Sequence, residues 1–327
     1  AVAVMGDFDD WTGQAMLLDP ASGIWSAFVA GVAPGVHYKY RVTGADHEVS
    51  ERADPVGFLH ETPPATASIV WQPRHEWGDQ AWLANRRQHQ GLDQPISIYE
   101  LHIGSWMRKV EEGNRHLGYR ELARGLAEYV RTCGFTHVEL LPLATHPFYG
   151  SWGYQSTGFF APSHRYGKPE ELMACIDALH QAGIGVLLDW TPAHFPRDRH
   201  GLAQFDGTAL YEHPDPQRGE QPDWGTLVFN YGRGEVSSFL LSAARRWFEM
   251  FHIDGMRVDA VASMLYLDYS RGEGGWSPNQ FGGNEHLEAI AFLRRLNDMI
   301  AAKFPDVLMI AEESTAWPKV SHPVAQG

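Results

Sequence analysis

From Ile96 onward the chain alternates between two kinds of apolar pattern, and it does so five times. Short, nearly continuous apolar runs open at Ile96 ("ISIYELHI"), Thr136 ("THVELLPL"), Ile184 ("IGVLLDW"), Ile253 ("IDGMRVDA") and Asp306 ("DVLMIAEE"). Between the last four of these and their predecessors lie longer segments with helical periodicity, such as "YRELARGLAEYVRTCGF", where Leu122, Leu126, Tyr129, Val130 and Cys133 share a face. "KPEELMACIDALHQAG" carries Pro near its start and Gly at its end, as helices do. "EVSSFLLSAARRWFEMF" and "NEHLEAIAFLRRLNDMIAAKF" complete the set. Strand and helix in alternation predict a parallel α/β fold, either a doubly wound sheet or a (β/α)8 TIM barrel.

The polar residues choose between the two. No Gly-rich phosphate fingerprint follows the first strand, so a dinucleotide-binding sheet is disfavoured. Glu100, His102, Asp189, Arg257, Asp259, Glu312 and Glu313 instead gather at the C-terminal ends of strands, where barrel enzymes build their sites. The expectation is an incomplete barrel, with about five strands present and three more beyond Gly327. Residues 1–84 read differently. Val2 and Val4 alternate into a turn, and "GIWSAFVAGVAPGVHYKYRV" holds two short alternating runs split by Pro34 and Gly35. That predicts a small all-β sandwich module, followed by a linker over 85–95 and the N-terminal part of the barrel over 96–327.

Composition limits the partners. A net charge of −14 argues against nucleic acid or an anionic membrane, because phosphate binding needs a basic surface. No apolar run has the length of a membrane span. Cys133 and Cys175, both in helical segments, suit a reducing cytoplasm. Twelve Trp and twelve Tyr are enough both to pack a core and to offer flat faces to sugar rings.

The segment "HIDGMRVDAVASM" sets two charges, Arg257 and Asp259, inside an apolar run. A structural ion pair is one reading; a strand ending at the mouth of a site is the other. Adjacent strands lie about 5 Å apart, so Asp259 and Glu312, at the ends of neighbouring strands, can flank one substrate bond. A retaining glycoside mechanism needs a nucleophile and an acid/base about 5–5.5 Å apart. Arg257, two residues before Asp259, points to the same side and is placed to keep Asp259 ionised. Asp189 ends the third strand, and a neutral His194 follows it in a loop. A lone His is more often structural. No Cys/His cluster has zinc spacing, and the chemistry needs no metal or organic cofactor.

These residues carry a resemblance. "DWTPAHF", "GMRVDAVAS" and "AEEST" resemble three motif regions of the α-amylase superfamily. "SIYELHIGSW", "HPFYGSWGYQSTGFFAP" and "DYSRGEGGWSPNQFGGNEHLEAI" are similar to 1,4-α-glucan branching enzymes in particular, and the likeness spans essentially the whole chain. The resemblance implies Asp259 as nucleophile, Glu312 as acid/base, Arg257 as its support, Asp189 and His194 around the bound sugar, and Tyr154 stacked on it. It implies a starch-binding-type leading module, a glycogen or other α-1,4-glucan substrate, a monomer, and cytoplasmic glycogen synthesis. Rival readings are a hydrolase of the same superfamily and a non-catalytic glucan-binding protein. The superfamily's fourth region, a His-Asp pair, is absent from the sequence. The expectation is therefore a piece lacking both ends, inactive and poorly soluble by itself.

Overall fold

A computed structural model describes residues 1–326. Strand β1 (Val2–Gly6) pairs antiparallel with β2 (His37–Thr43), which also pairs with β3 (Val49–Arg52). Short strands Gln14–Ala15 and Ser68–Ile69 extend this to a five-stranded sheet, and Leu17–Leu18 with Trp25–Ser26 form a separate hairpin. The first region is thus an all-β module.

Helix α1 (Gln80–Gln90) comes next, and here the structure corrects the sequence. Residues 85–95 were expected to be a linker; 85–90 are the second half of a docked helix. The stretch looked like linker because it is polar. Its polar groups are spent on strand ends: Gln90 Nε2 donates to the carbonyls of Asp254 (2.8 Å) and Asp306 (2.6 Å), and the Trp82 indole donates to Asp254 Oδ1 (2.8 Å). Those partners lie more than 160 residues away.

The remainder is a partial α/β domain. Strand β4 (Ile98–Leu101), helix α2 (Tyr119–Cys133), strand β5 (His137–Leu140), helix α3 (Pro169–Gln181), strand β6 (Gly185–Trp190), helix α4 (Gly234–Phe251), strand β7 (Gly255–Val258), helix α5 (Leu287–Lys303) and strand β8 (Leu308–Ala311) follow in order. All five strands found by pattern are present and parallel, in the order β8-β7-β6-β5-β4. Local chemistry sets the helix ends. Glu121 and Glu171 fold back on the N–H groups of Gly118 and Lys168, satisfying donors that have no helical partner. Helix α2 stops at Gly134, whose φ of 80° is left-handed.

Strand side chains alternate between two faces. Val138, Leu140, Val186, Leu188, Met256 and Val258 join the helices in the main core. By the same alternation and register, Glu100, Glu139, Leu187, Asp189 and Arg257 share the opposite face. The charged residues are therefore separated from the core by the sheet itself. No helix among the described residues is long and apolar enough to cross a membrane.

Candidate active site

Three carboxylates converge on one guanidinium at the C-terminal edge of the sheet. Arg257 Nη1 lies 2.6 Å from Asp189 Oδ2 and 2.8 Å from Asp259 Oδ1, and Nη2 lies 3.2 Å from Glu312 Oε2. The register explains the meeting. Arg257 on β7 sits level with Asp189 on β6, and Asp259 stands two residues further on the same side.

The ladder continues past the strand ends and fixes both outer carboxylates. Asp259 N–H donates to Trp190 O and Glu312 N–H to Val258 O, each at 2.9 Å. Ala260 is left-handed (φ 54°), a conformation that costs a non-glycine residue about 1 kcal/mol or more. That twist aims its N–H at Glu312 Oε2, 2.7 Å away. Tyr154, from the loop after β5, donates its hydroxyl to Asp189 Oδ2 at 2.8 Å.

Exposure differs sharply within the cluster. The Asp189 side chain is 0% accessible, Asp259 12% and Glu312 45%. Burial, with the charges of Asp189 and Glu312 beside it, pushes Asp259 up to about 7 against the pull of Arg257. Burial raises Asp189 as well, opposed by its bonds to Arg257 and Tyr154. The sequence suggested that Arg257 would keep Asp259 ionised. One guanidinium is shared among three carboxylates, so its pull on Asp259 is outweighed by burial and by the neighbouring charges.

Tyr154, Asp189, Arg257, Asp259 and Glu312 thus form one contact network. His194 makes no hydrogen bond to it among the described residues. It is buried, its ring lies against Trp224 (centroids 4.7 Å apart), and its Nδ1 has no hydrogen-bond partner among the described residues. Burial depresses it to about 4, which leaves a neutral imidazole. No cluster of metal-ligating side chains occurs among the described residues.

Comparison with known proteins adds identity. The chain is 59% identical over 330 residues to the 1,4-alpha-glucan branching enzyme GlgB of Aromatoleum aromaticum, covering 100% of the chain and 52% of that protein. It is 57% identical to the Myxococcus xanthus GlgB (100% of the chain, 45% of the relative) and 54% identical to that of Aquifex aeolicus (100% and 52%). Along its whole length the chain is similar to 1,4-α-glucan branching enzymes. It spans about half the length of the curated relatives it matches. Residues 1–57 match the family model for carbohydrate-binding module 48 (isoamylase N-terminal domain). A 1.4 Å crystal structure of a Salmonella typhimurium protein described as an alpha amylase superposes with a TM-score of 0.70 at 23% identity, over 95% of this chain and 45% of that one, which shows the fold alone.

Two residues near this candidate site escaped the sequence reading. Glu139 on β5 is buried on the same sheet face as Asp189; burial and the charges of Asp189 and Glu100 push it up to about 7. Its signal was present, a Glu inside the apolar run "HVELL". Trp224, which walls His194, had no local signal, since it reaches the site through the small sheet of His194–Phe195, Glu220–Gln221 and Thr226–Val228.

Proposed function

We propose that this chain carries the donor-cleaving half-site of a 1,4-α-glucan branching reaction. The convergence of Asp189, Asp259 and Glu312 on Arg257 carries the reading. Asp259 attacks the anomeric carbon of an α-1,4 link while Glu312 protonates the leaving glycosidic oxygen. The C–O bond breaks, and the cleaved chain is held on Asp259 as an ester. Glu312, now a carboxylate, takes the proton from the 6-hydroxyl of another glucose. That oxygen displaces Asp259 and closes an α-1,6 branch with net retention. Asp189 and Arg257 orient Asp259, Tyr154 stacks on the sugar ring, and His194, neutral, offers a hydrogen bond to a hydroxyl.

In this proposal the parallel strands are the first five of a (β/α)8 barrel, preceded by a sandwich-type glucan-binding module. The module occupies 1–84 and the barrel portion 96–327, joined through α1. The protein works on glycogen or another α-1,4-glucan in the cytoplasm as a monomer, and the chemistry uses no metal or organic cofactor.

Product analysis tests the reaction. The chain is assayed by itself and as a chimera in which it replaces the matched segment of the Aromatoleum relative. The chimera is expected to add α-1,6 links with little gain in reducing ends, and the chain by itself to turn over nothing. Asp259→Ala or Glu312→Gln is expected to cost the chimera roughly 10³-fold or more in kcat. Reducing ends that rise one for one with cleaved links would establish a hydrolase instead.

A further inference from the structure

The leading module reaches into the α/β domain with one buried arginine. Arg52, at the end of β3, is 5% accessible, yet no carboxylate among the described residues pairs with it. Its guanidinium is enclosed by main-chain carbonyls of a single loop. Nη1 donates to the carbonyls of Arg199 and of Ala203 (3.1 Å), and Nη2 to that of Gln204 (2.6 Å). Nε donates to Ser50 Oγ at 2.9 Å, and the cation lies 5.6 Å from the Phe205 ring centroid. The next residue adds a bond, Ala53 N–H to His200 O at 2.9 Å.

The loop held in this way begins at the candidate site. It leaves the strand His194–Phe195, runs through Arg199–Gln204, and is pinned again where Gln204 N–H donates to Glu212 Oε1 at 2.8 Å. Glu212 bridges to Phe229, next to the strand that pairs with His194–Phe195. Both ends of the loop are therefore tied to one small sheet, and Arg52 holds its middle. Backbone carbonyls of a loop this size otherwise need water or a turn to satisfy them. A guanidinium, with five donors in a planar fork, can serve several at once, and a lysine cannot match that geometry.

We propose that Arg52 is a positioning residue for the site: the β module, through this one side chain, holds the loop that leaves the His194–Phe195 strand, and so steadies His194 in its buried place against Trp224. The module then acts on the chemistry mechanically, separately from any glucan it binds. The consequence for turnover rests on the branching-enzyme reading; the mechanical link does not, and the test below is read without activity.

Arg197 and Arg199 are exposed tryptic sites inside the held loop. Native chain, Arg52→Met and Arg52→Lys are digested with trypsin under folding conditions, with cleavage after Arg197 and Arg199 followed by mass spectrometry. In the same proteins the imidazole of His194 is titrated by NMR, identified by its loss in His194→Gln. Arg52→Met is expected to speed cleavage in the loop by about tenfold or more, because charged hydrogen bonds that opposed local opening are gone. Arg52→Lys is expected to fall between the two. The His194 titration is expected to move from about 4 toward the ordinary histidine range in Arg52→Met, as its burial is lost. Unchanged loop cleavage, or faster cleavage with the His194 titration unmoved, would overturn the proposal. If Arg52→Met unfolds globally, Arg52→Lys supplies the same two readouts. A chimera with no branching activity, alongside the expected shifts in these proteins, would defeat the functional reading and leave the mechanical one standing.

Discussion

At the scale of single residues, the site stores repulsion. Asp259 sits near 7 in the fold and near 3.8 in an unfolded chain, so it takes up a proton on folding. A carboxyl raised in this way favours the fold at low pH. That contribution fades as pH rises from the unfolded value through the folded one. Asp259→Asn, neutral at every pH, is therefore expected to be more stable than the native chain at pH 7, by about 2–4 kcal/mol, with little difference at pH 4. Urea midpoints at both values decide it. No gain at pH 7 would mean that Arg257 compensates Asp259 fully. Glu139 belongs to the same economy. It lies on the face of Glu100 and Asp189, and burial and their charge push it up to about 7. Glu139→Gln preserves shape and is expected to leave the branching activity of the chimera within about twofold at pH 6–7, whereas Glu139→Lys is expected to abolish it by drawing carboxylates from Arg257.

At the scale of elements, the best-determined piece is the one the sequence hid. Helix α1 is fastened to the far end of the sheet by a buried charge network. His180 on α3 has Asp79 Oδ2 2.9 Å from Nδ1 and Asp254 Oδ2 2.9 Å from Nε2. Carboxylates only accept, so both ring nitrogens donate and the ring is an imidazolium. His252 adds a third contact, Nδ1 to Asp79 Oδ2 at 2.9 Å, and Arg86 on α1 reaches Asp254 Oδ1 at 2.8 Å. Asp254 and His180 counter their burial through each other, and the titration of His180 is raised. A raised histidine contributes fully below its unfolded value, near 6.5, and its contribution is lost as pH climbs through the higher folded value. His180→Gln is expected to cost about 3 kcal/mol at pH 6, and the gap to the native chain is expected to close at alkaline pH. A gap that stays constant from pH 6 to pH 9 would contradict the imidazolium. Periodicity made the five strands and four of the helices legible, because each repeats a face. It missed α1, whose buried residues, Trp82 and Gln90, are spaced by eight and include an amide. Asp259, Glu312 and Arg257 were legible because charge is rare in an apolar run. The sharing of Arg257 among three carboxylates was not, because it depends on the register between strands.

At the scale of the whole molecule, the sheet ends in two outer strands. Among the described residues, β4 and β8 each have one paired side, and β8 is only partly covered, with Leu308, Met309 and Ile310 half-buried. Open strand edges of this kind pair with other chains. The chain by itself is expected to self-associate with rising concentration despite its charge of −14, and Met309→Lys is expected to reduce the effect; light scattering over a concentration series measures both. A native chain that stays monomeric throughout would show that the exposed edge is harmless. The attachment of α1 carries a lesson about interchange. Domain swapping between enzymes treats a leading module as a cassette, cut wherever a family match stops. Here Arg52 plugs into a loop of the α/β domain, and Trp82, Arg86 and Gln90 bolt the connecting helix to Asp254. A graft joined near residue 57 would import a foreign plug for a native socket. The working seam in this protein lies ahead of α1, which stays with Asp254, and the donor must bring its own loop for the arginine.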